Sequence, residues 1–157
     1  YIPWSMSSRI QFEPNSVTET DMPSWTPIWK NYKLSAGIYF DLIEQHDSLE
    51  VLSRCLWDPY NTYYPFEMTP EALAFINIYF DLLEIHRRDL HYKVKTIKNN
   101  RIAVNAAYNT FLEEWGNLER KFISEVDRGR DRDGLLKWNE KVKEAIGVDN
   151  VALFLQK

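Results

Sequence analysis

AGIYFDLIEQHDSLEVLSRCLWD, residues 36–58, governs how the first third of this chain is read. Taken at 3.6 residues per turn, it divides into the end of one helix and the whole of a second. The first extends from about Pro27, whose missing N–H costs nothing in a first turn, to His46. The second starts at Asp47 or Ser48, either of which can cap orphan N–H groups, and runs through Leu52 to Trp57. Asp58-Pro59 then stops it, because proline pushes the preceding residue out of the α region.

Further along, DPYNTYYPFEM (58–68) reads as an aromatic loop. The clearest start signal follows it, with Thr69 as N-cap, Pro70 at the first helical position and Glu71 in the first turn. From Ala72 to Ile85 the predicted helix is apolar almost all round. Its polar residues Asn77, Asp81, Glu84 and Arg88 fall on one narrow stripe, which predicts a central helix wet only along that strip. HYKVKTIKNNR (91–101) breaks the pattern and reads as a basic connection. In the next helix Val104, Tyr108, Phe111, Trp115, Leu118, Phe122 and Val126 recur at steps of three or four, a seam for one partner groove in a monomer or a dimer. DRGRDRDG (127–134) ends it. Leu135, Trp138, Val142 and Ile146 mark a last amphipathic helix closed by Gly147, and VALFLQK reads as a docking tail.

Towards the N-terminus, Pro3, Pro14, Pro23 and Pro27 lie among Ser, Thr and Asn, so residues 1–27 are expected to form an extended arm pinned by Trp4, Trp25 and Trp29. The predicted fold is therefore all-α: a bundle of four to five helices over 28–157, as a single domain behind that arm. Composition agrees, since 157 residues suit one domain and only 5 Gly and 7 Pro favour long helices over a β-sandwich. A net charge of −4 disfavours nucleic acid, which needs a concentrated positive field. Cys55 is the only cysteine, which excludes an intrachain disulfide and any multi-cysteine metal site. No stretch approaches the roughly 20 apolar residues that span a bilayer. The chain begins with Tyr1, which is compatible with an upstream signal or anchor.

One stretch is echoed. IYFDLIEQH (38–46) and IYFDLLEIH (78–86) agree at seven of nine positions, which reads as two facing core helices or as coincidence. Each copy supplies an Asp, a Glu and a His: Asp41, Glu44 and His46, then Asp81, Glu84 and His86. Carboxylate-bridged metal bundles use Glu-x-x-His, which places both ligands on one helix face. Here the spacing is Glu-x-His, so on a helix the two point roughly 200° apart. Solvation is the simpler use of these carboxylates, and no cofactor is implied.

Two stretches are candidate contact surfaces. Arg87, Arg88, Lys93, Lys95, Lys98 and Arg101 stand against Asp89 alone, which would suit an acidic partner, RNA or anionic lipid headgroups. His91 follows Arg87 and Arg88 too closely for the Arg-to-His spacing of helical ribonucleases. Trp57, Tyr60, Tyr63, Tyr64 and Phe66 form either a sticky surface or a lid on one end of the core. Phosphate loops, nucleophile elbows and His-Glu-x-x-His are absent.

Residues 36–58, with INIYFDLLEIHRRD and YNTFLEEWGNLERKFISEVDRGR after them, resemble an uncharacterised bacterial helical family often found behind an N-terminal transmembrane helix. The likeness covers about residues 35–130. It implies a cytosolic or membrane-associated helical module and carries no catalytic residues. The Trp/Pro-rich arm, the aromatic loop, and His86-Arg87-Arg88 in place of a glycine depart from that family.

The leading expectation is thus a non-catalytic helical domain that binds a protein partner, cytoplasmic or tethered to a membrane through a segment outside this chain. A carboxylate–histidine metalloenzyme is the competing reading, and RNA or anionic-lipid binding is a weaker third.

Overall fold

The computed structural model describes residues 1–12, 31–46, 48–97 and 100–155. Among them, β1 (Ile2–Pro3), β2 (Ala36–Gln45) and β3 (Ser48–Trp57) form an antiparallel sheet in the order β1-β3-β2. Four helices follow: α1 (Pro70–Thr96), α2 (Arg101–Val126), α3 (Arg132–Ile146) and α4 (Val151–Phe154). The expected all-α bundle is therefore corrected to a mixed helix-and-sheet fold. Neither helix predicted within 27–57 exists over its described residues. Pro14, Pro23, Trp25, Pro27, Trp29 and Asp47 lie outside the described residues.

The hairpin wins because its side chains alternate as well as they spiral. In β2, Ile38, Phe40 and Leu42 face the core while Tyr39 and Asp41 face out. In β3, Val51, Cys55 and Trp57 are buried while Leu52 and Arg54 are exposed. Pairing sets Ile38 opposite Cys55 and Leu42 opposite Val51 on the inner face, and Tyr39 opposite Arg54 on the outer one. A helix as short as the second predicted one is marginal without strong partners, whereas the two strands pair with each other at all ten positions. His46 adopts φ 54°, the left-handed geometry that a two-residue hairpin connection requires.

The echo thus adopts two structures. Residues 38–45 lie in β2, while 78–86 lie inside α1. The second copy has what the first lacks, a start signal: Thr69 accepts a hydrogen bond from the Ala72 N–H at 3.1 Å, with Pro70 in the first turn. It also sits within 27 helical residues instead of ten.

α1 is the central element and packs against β3, α2, α3 and α4. It continues to Thr96, so the break expected at 91 is absent and the connection to α2 is short. The α2 seam lies on α1 within the same chain: Phe122 stacks on Phe75 with centroids 5.5 Å apart, and Trp115 meets Tyr79 edge-on at 5.5 Å. α3 closes the far side through Trp138 against Phe122, and Gly147 ends it in the left-handed conformation. The tail docks through buried Phe154.

Between α2 and α3 the chain turns through a 3₁₀ turn, Asp127–Gly129, in which all three residues have positive φ. Gly129 is pressed against the start of α1, where a Cβ would stand 2.4 Å from the Glu71 carbonyl oxygen. Gly147 also has positive φ, but a Cβ there would meet nothing within 4 Å. Gly147→Ala should therefore cost about 1 kcal/mol, the conformational term alone. Gly129→Ala should cost at least about 3 kcal/mol, because backbone must also move. Urea unfolding of the two variants checks the difference.

Candidate functional site

The polar stripe of α1 is covered, contrary to its reading as a wet strip. Asn77, Asp81 and Glu84 are all buried. The N-terminal arm lies along them. Ile10 donates its N–H to Asn77 Oδ1 at 2.6 Å and accepts from Asn77 Nδ2 at 3.1 Å, so the carboxamide acts as a backbone pairing partner. Asp81 accepts from Trp4 Nε1 at 2.7 Å, from the Arg9 guanidinium at 2.8 and 2.9 Å, and from Asn150 Nδ2 at 2.7 Å. Arg9 also reaches Asn150 Oδ1, and the Asn150 N–H donates to buried Asn139. One carboxylate thus holds both chain ends to the central helix.

Glu84 accepts from Arg87 at 2.6 and 2.9 Å and from Arg88 at 2.8 Å. The Arg88 guanidinium in turn lies over the Trp4 ring, 5.2 Å from its centroid. Arg87 extends the network to the sheet by donating to Ser53 Oγ at 2.7 Å, and Ser53 Oγ lies 2.7 Å from His91 Nδ1. That contact closes a polar chain from Glu84 through Arg87 and Ser53 to His91. Burial, followed by the nearby Arg87 and Lys95 charges, lowers the His91 pKa below the ordinary histidine value. A serine–histidine contact of this length resembles a nucleophile–base pair, but its arginine tether makes it a bridge between β3 and α1. Sequence reasoning missed it, because Ser53 was placed on a helix and only β3 aims it at α1.

The basic stretch is partly neutralised. Arg87 and Arg88 share Glu84, Lys93 pairs with Asp89 at 3.0 Å, and Arg101 with Glu44 at 3.3 Å. Lys95 is exposed, and Lys98 lies outside the described residues. Of the aromatic loop, Trp57 and Tyr64 are fully buried, Tyr63 and Phe66 are half-buried, and Tyr60 is 90% exposed. The loop is organised by Asp58, whose carboxylate accepts from the Tyr60 and Asn61 N–H groups; the Asn61 side chain above all holds its pKa below the usual range. The Trp57 indole N–H has no hydrogen-bond partner among the described residues and sits beside the rings of Phe12 and Phe80.

The carboxylate–histidine set does not converge. Asp41 is exposed on the outer sheet face, Glu44 and His46 are exposed at the hairpin end, and Asp81 and Glu84 are occupied by arginines. His86 bonds the Leu82 carbonyl and meets Trp115 edge-on. Among the described residues, no group of three or more His, Cys, Asp or Glu could hold a metal ion. The same residues include no helix long and apolar enough to cross a membrane.

Two features remain open at the surface. One is the sheet: its outer face presents Tyr39 and Leu52, 54% and 45% exposed, and among the described residues no strand pairs with the far edge of β2. The other is a cleft beside the Asp127–Gly129 turn, lined by Tyr32, Phe66, Ile123, Arg128 and Arg130. The run DRGRDRDG signalled only a helix end, and its arginines meet those aromatics only in the folded chain. No protein-family model, no curated protein and no solved structure matches this chain.

Two outcomes test the buried network. Asp81→Asn should lower the unfolding free energy by about 3 kcal/mol, the scale expected when a buried ion pair loses one partner. Urea unfolding would show the loss, with a red shift of tryptophan emission as Trp4 is released. For His91, the folded pKa is depressed, so the unfolded chain takes up its proton first. Stability should therefore decline as pH falls below about 6.5, towards the folded pKa. His91→Gln, which keeps a hydrogen-bonding side chain for Ser53, should flatten that decline in melting temperatures measured across the same pH range.

Proposed function

We propose that this chain is a non-catalytic protein-interaction domain that captures an extended segment of a partner protein along the edge of β2. The supporting observation is the edge itself. AGIYFDLIEQ pairs with β3 at all ten positions, yet among the described residues its other side has no strand partner. Exposed edges are usually blunted with lysine, proline or a bulge, because unpaired backbone groups invite another strand. β2 contains neither residue and keeps unbroken register.

Its side chains suggest the occupant. On the outer face Asp41 is exposed without an ion pair among the described residues, between Tyr39 and Ile43. A segment with Lys or Arg opposite Asp41, flanked by apolar residues, would fit by strand addition, where main-chain bonds supply affinity and alternate side chains supply specificity. The dispersal of the histidines and carboxylates, and the pairing of most cations in the basic stretch, favour this reading over metal chemistry and nucleic acid.

Peptides selected from a random display library against the whole chain would test it. Binders should carry a basic residue within a β-branched or aromatic run and should protect the amides of residues 36–45 from hydrogen exchange. Tyr39→Lys with Ile43→Lys should weaken them at least about tenfold, roughly 1.4 kcal/mol. Selected binders that leave those amides unprotected, or bind the double variant equally well, would overturn the assignment.

A further inference from the structure

We propose that the cleft beside the α2–α3 turn binds a small organic phosphate carrying a planar ring. The argument begins with Arg128. Its backbone is left-handed, φ 57°, directly after Asp127 at 48°. Such a conformation costs a residue with a side chain roughly 1–2 kcal/mol, and glycine would adopt it freely. The turn holds it there because Gly129 is wedged against Glu71. The result is a half-buried guanidinium lying 3.6 Å over the Phe66 ring. Its charge acts on the nearby Tyr64 hydroxyl, partly offsetting the burial that raises that group's pKa. No carboxylate pairs with it among the described residues, whereas neighbouring Arg130 is held by Asp127 at 2.7 Å. Among the described residues this partly buried arginine is an incomplete pair, and the partner its chemistry calls for is an anion.

The cleft supplies the rest. It encloses about 220 Å³ between Tyr32, Phe66, Ile123 and the two arginines. Pockets for drug-sized ligands are larger, roughly 300–1,000 Å³, so the occupant is small. Tyr32, Phe66 and Ile123 offer an apolar wall for a flat ring. Burial, reinforced by Tyr64, pushes the Tyr32 pKa up to about 12, so its hydroxyl stays protonated and can donate at neutral pH. Asp127 selects among anions: a ligand must compete with its carboxylate for Arg130, which a phosphate dianion does better than a monoanionic carboxylate. The site is separate from the β2 edge and does not depend on it.

Phenyl phosphate is the probe, with phenol and inorganic phosphate as its separated halves, each titrated into the whole chain by calorimetry and by amide shifts in NMR. The expected result is saturable binding near the millimolar range, shifts centred on Tyr32, Phe66 and Arg128, and each half at least about tenfold weaker. Arg128→Gly should abolish binding without lowering the melting temperature, since it removes both the cation and the backbone strain. The exposed Arg130→Gln should weaken phenyl phosphate more than phenol. Failure of phenyl phosphate to saturate by about 10 mM, equal affinity for phenol, or unchanged affinity in both arginine variants would overturn the assignment.

Discussion

The segments at either end of the described chain meet at the Asp81 carboxylate. It is 1% exposed and charged, so it is tolerable only if nearly all its acceptor sites are filled. Trp4 and Arg9 from one end of the chain and Asn150 from the other fill them. The donors are separated from it by 77, 72 and 69 residues in sequence, so none is supplied by its own helix. Burying this carboxylate requires both termini to be in place, and that requirement orients the rest. The arm must lie along α1 for Ile10 to pair with Asn77, and α4 must follow α3 closely for Asn150 to reach inward.

Glu84, one helical turn further, does the same for the sheet. It holds Arg87, and Arg87 holds Ser53, so β3 is tied to α1 by a polar chain set among Cys55, Val51 and Leu90. Burial drives the Cys55 thiol well above its ordinary pKa, with Glu84 adding to the effect, so it behaves as a small apolar core residue. The groups most suggestive of chemistry (a serine beside a histidine, carboxylates beside arginines, a cysteine) are thus mostly committed to holding the fold. That commitment moves attention from catalysis to surfaces: the edge of β2, which has no further strand beside it among the described residues, and the cleft at Arg128, where none of them supplies a carboxylate.

The reading of residues 36–57 as helices failed for a definite reason. IYFDLIEQH is compatible with both periods, because its apolar residues alternate over 38–42 and also spiral over 38–43. Local sequence could not choose, and its near-identical copy at 78–86 is helical. Partners chose: β3 offers the first copy ten cross-strand pairs, while Thr69, Pro70 and a long apolar surround commit the second to α1. The same dependence hid the Ser53–His91 contact, which exists only once Ser53 belongs to a strand facing α1.

What the sequence determined by itself was therefore local: the Thr69-Pro70 start of α1, the Gly147 stop of α3, and the apolar spacings of α2 and the tail that mark a face to be buried. It also marked Asn77, Asp81 and Glu84 as one stripe. Only the tertiary structure decided what that stripe faces, which residues of the aromatic loop are core, and that Arg128 meets Phe66. Helix caps and stops are written within one or two turns of chain. The burial of a carboxylate, the pairing of a strand and the company of an arginine depend on residues tens of positions away, and those meet only in the folded chain.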